Sequence, residues 1–449
     1  MEKVFSSGLS SALAGGADTI VARSSPAGRG GLALIRVSGV ETRRLAGAVC
    51  PDLDMDRGWR AALVKVLDPA GGVIDRAVAL PYPSPRSYTG EDMLELMVHG
   101  SNWVIQATID AFTTAGARRA APGEFTRRAV ANGKLDLVQA EAINELTQAD
   151  TAWQARVARA QIEGRLSREF AQFKDDLTDL LAGLEAALDF AQHEIPYDRD
   201  EGVRRRDRCL EQAAALLATA SAGQRIRDGV RIVILGPPNS GKSTLFNLLV
   251  GAEKAIVSPH PGTTRDVVEA ELEIAGVRVI LQDTAGLGVT SDPVEREGVR
   301  RAKGAAADAD GVLVLWPADQ PKDAGPATKA HQPTLRIRSK WDLAGDRNVS
   351  APWRALSCST GVGMEELREA LAELVTAEIA DLGGEVAIAD RHRRALVSAV
   401  GELQSTEFEL PELAAEGVRA ALDAARELTG EVVTEDVLDR VFGSFCIGK

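Results

Sequence analysis

Apolar positions change their period several times along this chain, and each change marks a different kind of element. Between Thr19 and about Gly133 they come in short runs, Leu32-Ala33-Leu34-Ile35, Val78-Ala79-Leu80 and Leu94-Glu95-Leu96-Met97-Val98, separated by Gly and Pro turns. That pattern predicts an α+β domain. From Leu137 to about Ala191 the spacing becomes three and four, as in Phe170, Phe173, Leu177, Leu180, Leu181, Leu184 and Leu188, and predicts helix with few breakers. Glu211 to Ala220 continues it, and Arg391 to Phe408 and Ala414 to Leu428 read as further long amphipathic helices. Between these helical stretches Val230 to Leu235 reads as a buried parallel strand, Thr244 to Val250 as the first turns of a helix, and Val277 to Leu281 and Thr334 to Arg338 as strands. The reading is a multidomain chain, α+β then helical, with an α/β unit inserted in the helical part. Its predicted boundaries are 1–134, 135–228, 229–384 and 385–449, with Asp381-Leu382-Gly383-Gly384-Glu385 as the linker back into the helices. No internal repeat or low-complexity tract is present.

The inserted unit carries the sharpest chemical signal. Gly236-Pro237-Pro238-Asn239-Ser240-Gly241-Lys242-Ser243 fits G-x-x-x-x-G-K-S between a strand and a helix. In that setting backbone NH groups point at phosphates from the helix N-terminus, Lys242 supplies a point charge, Ser243 offers a magnesium-ligating hydroxyl, and Thr244 follows in the first turn. Downstream come Gly262-Thr263-Thr264-Arg265-Asp266, Asp283-Thr284-Ala285-Gly286 and Ser339-Lys340-Trp341-Asp342, whose order and spacing resemble a small, Ras-like P-loop G domain. Thr264 is then the second magnesium contact and the Gly286 amide is placed to sense a γ-phosphate. Asp342 would take guanine N1 and the exocyclic amine in two hydrogen bonds that adenine cannot offer. The resemblance has Asn where this chain has Ser339, which predicts lowered nucleotide affinity with guanine choice retained. Ser357-Cys358-Ser359 is expected to close over the base, although taken alone the triplet reads first as a plain turn.

Leu287 follows Gly286 and cannot orient water as a glutamine would. Asn239 and the Ser258-Pro259-His260-Pro261-Gly262-Thr263 loop resemble the potassium-activated GTPases that dimerise through their G domains, in which an Asn amide and loop oxygens hold K+ where an arginine finger would put its charge. That resemblance implies K+ contacts from Asn239, Ser258, His260 and Thr263, Mg2+ contacts from Ser243 and Thr264, and a water-positioning carboxylate at Glu295. Without it, Glu295 reads as a solvated partner of Arg296 or Arg300.

Composition narrows the setting. The chain has 449 residues, 45% hydrophobic and 26% charged, room for roughly two to four domains. Cys50, Cys209, Cys358 and Cys446 are scattered without a C-x-x-C pair, so neither a zinc site nor a disulfide framework is expected, and a reducing cytoplasm fits. No stretch approaches a membrane span, and Met1 to Asp18 has no signal-peptide pattern. A net charge of −13 argues against a nonspecific nucleic-acid coat. The local clusters Arg204-Arg205-Arg206 and Arg391-His392-Arg393-Arg394 read from charge alone as solvated helix faces.

The ends of the chain add a family resemblance. Asp18-Thr19-Ile20-Val21-Ala22, Gly28-Arg29-Gly30-Gly31, Ser87-Tyr88-Thr89-Gly90-Glu91-Asp92, Pro122-Gly123-Glu124-Phe125-Thr126, Asn132-Gly133-Lys134-Leu135-Asp136-Leu137 and Phe445-Cys446-Ile447-Gly448-Lys449 resemble, over nearly the full length, the MnmE (TrmE) family of tRNA modification GTPases. The resemblance implies an N-terminal domain that binds a tetrahydrofolate derivative, in its 5-formyl or methylene form, and mediates homodimerisation. It also implies a heterotetramer with an FAD-dependent MnmG-type partner, which modifies C5 of a wobble uridine in tRNA. Carried over, the folate contacts are Arg36, Glu95, Lys134 and Lys449, with Cys446 beside them in a redox or nucleophilic role. Taken singly, Arg36 reads as a surface cation and Cys446 as a small buried hydrophobe. Phe190-Ala191-Gln192-His193-Glu194 departs from the family's more acidic turn. Two rival readings stay open: a regulatory RNA- or ribosome-associated GTPase without modification chemistry, and an ATP-using P-loop enzyme, which Asp342 opposes.

Overall fold

The computed structural model describes residues 18–189, 198–255, 268–283, 304, 306–320, 332–344, 349–380, 387–432 and 434–449. Contacts divide the chain into two compact units, one of residues 1–144, 161–211 and 394–449, the other of 145–160 and 212–393.

The first unit contains a sheet of β1 (Ile20–Arg23), β2 (Leu32–Ser38), β3 (Ala62–Leu67), β4 (Val73–Tyr82), β5 (Met93–His99) and β6 (Arg118–Arg119), in the order β3-β4-β5-β2-β1-β6. Neighbours are antiparallel except β1 and β6. The period of two decides what faces what. Ile35, Val37, Leu94, Leu96 and Val98 point to one face, where the helices Thr42–Val49 and Asn102–Ala115 cover them with Leu45, Ile105, Ile109 and Phe112. Their neighbours Arg36 and Glu95 point to the other face, and strand register sets these two opposite each other.

The helical stretch expected from Leu137 onward is three helices, Leu137–Thr147, Ala152–Ile162 and Arg165–Asp189, and the breaks have local causes. The Gln154 side chain accepts from the backbone NH of Asp150 (2.8 Å) and of Thr151 (3.2 Å), and so caps a new start. Gly164, at φ +79, supplies the left-handed residue that ends the second helix. In Arg165–Asp189 the residues Phe170, Phe173, Leu177, Leu180, Leu181 and Leu184 are buried as the spacing predicts, while Leu188 is half-buried. This helix packs against Pro411–Thr429, and the pairs Lys174 with Glu431 and Glu185 with Arg419 (2.8 Å) make the two antiparallel. Phe442 in the helix Glu435–Gly443 and Phe445 just beyond it pack with Val130 and Leu137.

The second unit is built on β7 (Val230–Leu235), β8 (Lys254–Ala255), β9 (Val268–Ile274), β10 (Val277–Asp283), β11 (Gly311–Pro317), β12 (Thr334–Ser339) and β13 (Trp353–Ala355), in the order β13-β12-β11-β7-β10-β9-β8. Pairs from β13 to β10 are parallel, and β9 and β8 join antiparallel. Val230, Ile232 and Ile234 of β7 sit in the core with Leu245 and Leu249 of the helix Lys242–Ala252 and Leu367 and Leu371 of Met364–Ala380. The central strand β7 lies between β10 and β11, so strand order turns around it, and such a switch point opens a crevice at the strands' carboxyl ends. The mixed α/β and α+β class expected from the sequence is the one observed. Among the described residues no helix is long and apolar enough to cross a membrane.

Candidate functional site

The chain leaves β7 through a loop that tolerates almost no side chain at its first position. A Cβ on Gly236 would lie 2.3 Å from the Leu315 carbonyl oxygen and 2.8 Å from Ser240 Oγ. Asn239 (φ +59) and Gly241 (φ +93) are both left-handed, which coils the backbone so that successive NH groups turn inward ahead of Lys242–Ala252. Lys242 is buried and its Nζ donates to the carbonyls of Gly236 (3.0 Å) and Pro237 (2.9 Å). Burial weakens its hold on the proton, with the Asp283 carboxylate working against that shift. Ser243 Oγ donates to Asp283 Oδ2 at 2.7 Å, putting a hydroxyl and a carboxylate oxygen together at the mouth of the loop. Hard oxygen donors beside a phosphate cradle suit Mg2+. Asn239, Ser243 and Thr244 are exposed, whereas Ser240 is wholly buried.

A second pair of loops is tied to the first. Ser339 Oγ, at the end of β12, donates to the Ser240 carbonyl at 2.7 Å, and both residues are buried. Ser240 Oγ itself has no partner among the described residues. Lys340 is left-handed at φ +54 and opens the single helical turn Trp341–Leu343, which leaves Asp342 exposed. Ser357 Oγ donates to Asp342 Oδ1 at 2.6 Å and lies 3.0 Å from Ser359 Oγ. That hydrogen bond is the chief reason the Asp342 carboxyl sits below its ordinary range and stays ionised. Cys358 is half-buried, and burial raises its thiol pKa. Within Ser357-Cys358-Ser359 it is thus Ser357 that hydrogen-bonds the Asp342 carboxylate.

The third cluster lies on the free face of the first sheet. Arg36 Nε (3.0 Å) and Nη2 (2.7 Å) both donate to Glu95 Oε1, and Tyr82 OH donates to Oε2 at 3.0 Å. The Arg36 guanidinium lies 5.4 Å from the Tyr88 ring centre and 5.5 Å from that of Phe125, a cation–π contact on each. The C-terminal tail threads into this cluster. Pro122 and Ile447 form a β-bridge, and the Gly448 carbonyl accepts from Ser24 Oγ (2.8 Å) and Arg36 Nη1 (3.3 Å). Gly448 (φ +96) is required there, since a Cβ would lie 2.1 Å from the Arg23 carbonyl oxygen. Burial first, and Arg36 second, lower the Lys449 pKa. Lys134 is exposed and donates to the Pro85 carbonyl at 3.2 Å, on the loop that carries Tyr88.

Arg36, Glu95 and Lys449 are therefore brought together, and Arg36 is a locked, half-buried group instead of a plain surface cation. Cys446 is exposed, not a buried hydrophobe, whereas Cys50 and Cys209 are buried with thiol pKa values pushed up to about 12 and about 11. The periodic pattern missed Tyr82, at the end of β4, and Phe125, in the largely polar helix Glu124–Ala131, as members of this cluster. Arg204 and Arg205 pair with Glu201 on the solvated face that charge alone suggests, whereas Arg206, paired with Asp207, is half-buried with its guanidinium over the Phe408 ring. Ser258, Pro259, His260, Pro261, Gly262, Thr263, Thr264, Thr284, Ala285, Gly286 and Glu295 lie outside the described residues, as do Phe190 to Glu194 and the 381–385 linker.

Comparison with known proteins decides the family. A model described as the GTP-binding protein TrmE N-terminus matches residues 19–134, and one described as the MnmE helical domain matches residues 137–446. The tRNA modification GTPase MnmE of Phenylobacterium zucineum is 42% identical over 452 residues, covering 96% of this chain and 100% of that protein. A protein of the same name from Thermus thermophilus is 40% identical over 439 residues, covering 96% and 99%. The chain belongs to the MnmE family. The two MnmE matches meet between residues 134 and 137, and the second runs through the phosphate loop to Cys446 in the tail.

Proposed function

We propose that this chain, a GTP hydrolase acting in tRNA modification, is activated by potassium and works with an FAD-dependent MnmG-type partner. Together they build a 5-carboxymethylaminomethyl-type group on C5 of the wobble uridine of certain tRNAs, using a tetrahydrofolate one-carbon unit. The observation that carries the nucleotide half is the linkage of its loops. One hydroxyl, Ser339 Oγ, ties the guanine-reading turn to the phosphate loop, and Ser357 holds Asp342 exposed and ionised. Asp342 Oδ1 accepts from Ser357, and the exposed, ionised carboxylate is the acceptor offered to the guanine edge.

Lys242 and the inward NH groups bind the β- and γ-phosphates, and Ser243 beside Asp283 holds Mg2+, with Thr264 as the switch-loop contact. Asn239, exposed at the loop's left-handed corner, is the side chain offered to K+, completed by Ser258, His260 and Thr263. A monovalent cation there supplies the positive charge that stabilises the transferring phosphoryl group. Two G domains of a homodimer meet face to face on this reading, excluding water while Glu295 positions the attacking one. The four-part division at 134, 228 and 384 gives the hydrolytic unit two chain crossings into the helices, through which its motion reaches the modification chemistry.

At the first sheet, Glu95 Oε1 spends both lone pairs on Arg36, and Oε2 one on Tyr82, which leaves one acceptor site for the edge of a pterin. Lys449 and Lys134 are the cations for the folate's glutamate carboxylates. Bound folate supplies the carbon unit; the chain's own residues orient it.

GTP turnover by the full chain in KCl against NaCl tests the activation. Turnover at least tenfold higher in KCl is expected, and equal rates contradict the proposal. Glu295→Ala is expected to keep nucleotide affinity and lose about 10²-fold or more of the turnover; near-normal turnover removes Glu295 from the reaction.

A further inference from the structure

The loop ahead of β3 presents an aromatic ring whose position the fold itself does not require. Trp59 is 56% exposed, yet its backbone sits at φ +63, a left-handed conformation unfavourable for a bulky residue. The conformation is imposed from both sides. The Trp59 NH donates to the Pro81 carbonyl at 2.9 Å, and Gly58 is pressed so close that a Cβ would lie 2.4 Å from Pro83 Cδ. A strained backbone that holds a large apolar side chain out in solvent points to a role for that side chain.

The neighbours say which role. The indole and the Tyr82 ring stand perpendicular, with centroids 4.8 Å apart and planes at 88°. Tyr82 OH donates to Glu95 Oε2, the oxygen with a lone pair still open. Burial, then the charge and hydrogen bond of Glu95, push the Tyr82 hydroxyl up to about 12, so it stays a donor. Two rings at right angles make a corner, and an open carboxylate oxygen lies at its polar end. A flat heteroaromatic with NH groups along one edge fits such a corner, its face on the indole and its edge toward Glu95.

We propose that Trp59 is a ligand-contacting residue, the wall on which the pterin ring of the folate stacks, with Tyr82 fixing the carboxylate that reads its edge. This rests on the folate reading above, and the test separates the two. Binding of (6S)-5-formyltetrahydrofolate to the full chain is measured by calorimetry and by indole fluorescence corrected for ligand absorption, for wild type, Trp59→Ala and Trp59→Phe. Wild type is expected to bind with quenching, Trp59→Ala to bind about tenfold more weakly, and Trp59→Phe to keep most of the affinity while losing most of the quench. Wild type that does not bind overturns the folate reading and this proposal with it. Wild type that binds beside Trp59→Ala of equal affinity overturns this proposal alone. The same holds if Trp59→Ala keeps its affinity but falls from dimer to monomer, which assigns the indole to a contact between copies. Should Trp59→Ala fail to fold, an undiminished quench in Trp59→Phe overturns the proposal.

Discussion

Two single residues carry more of the account than their size suggests. Ser339 is a shorter residue than its family pattern has, yet its hydroxyl reaches the Ser240 carbonyl at 2.7 Å in a buried setting. Removing it leaves that carbonyl unpaired, a penalty of ~1–3 kcal/mol. Ser339→Ala is therefore expected to weaken GDP binding by about 5- to 150-fold, and Ser339→Asn to tighten it, both read from the dissociation rate of a fluorescent GDP. Gly448 is the other. Gly448→Ala meets the Arg23 carbonyl oxygen and must displace the tail, so 5-formyltetrahydrofolate binding is expected to be lost while basal GTP turnover is kept. At this scale the sequence was uneven. The G-x-x-x-x-G-K-S pattern places Lys242 and Ser243 at the start of a helix behind a left-handed glycine, and the structure has them there because the loop's coil is local to the motif. By contrast, nothing local to Arg36 announces that Gly448, 412 residues away, accepts its hydrogen bond; the family resemblance grouped Arg36 with Lys449, the residue next to Gly448.

Elements were read most securely where a period was sustained. Arg165–Asp189 buries all but Leu188 of the residues its three-and-four spacing nominates, and Phe170→Ala is expected to cost ~3–5 kcal/mol in urea unfolding, since the cavity adds to the lost transfer energy. The breaks that divide the Leu137–Ala191 stretch were missed, because they depend on a Gln154 cap and one left-handed glycine against an unbroken apolar pattern. Polar bracing between elements was equally invisible. Arg128 on Glu124–Ala131 is buried and bonds Asp18, Glu91 and Glu124, while Arg118 bonds Asp18 and Glu124. Burial opposes ionisation of Asp18 and Glu124, yet hydrogen bonds from the two arginines outweigh it and hold both carboxyls below their ordinary values of 3.8 and 4.5. The sign follows: their contribution to stability is complete above those values and is lost as the pH falls through the depressed folded ones. Thermal melting followed at steps below pH 5 is expected to show this loss, and Arg128→Met is expected to lower the melting temperature and flatten its acid dependence.

For the whole molecule, the domain order and class were legible because period, turn composition and the phosphate-loop motif each mark a separate segment. The account unites a guanine-nucleotide cradle on one sheet and a tail-closed Arg36–Glu95 cluster on another in one polypeptide. A regulatory GTPase that only binds RNA needs the first and has no use for the second. Mass analysis of wobble uridines in tRNA discriminates most directly, using cells that lack this chain and are restored with wild type or with Gly448→Ala. C5-modified wobble uridine is expected to disappear without the chain, to return with wild type and to stay absent with Gly448→Ala. Unchanged modification in cells without the chain contradicts the account.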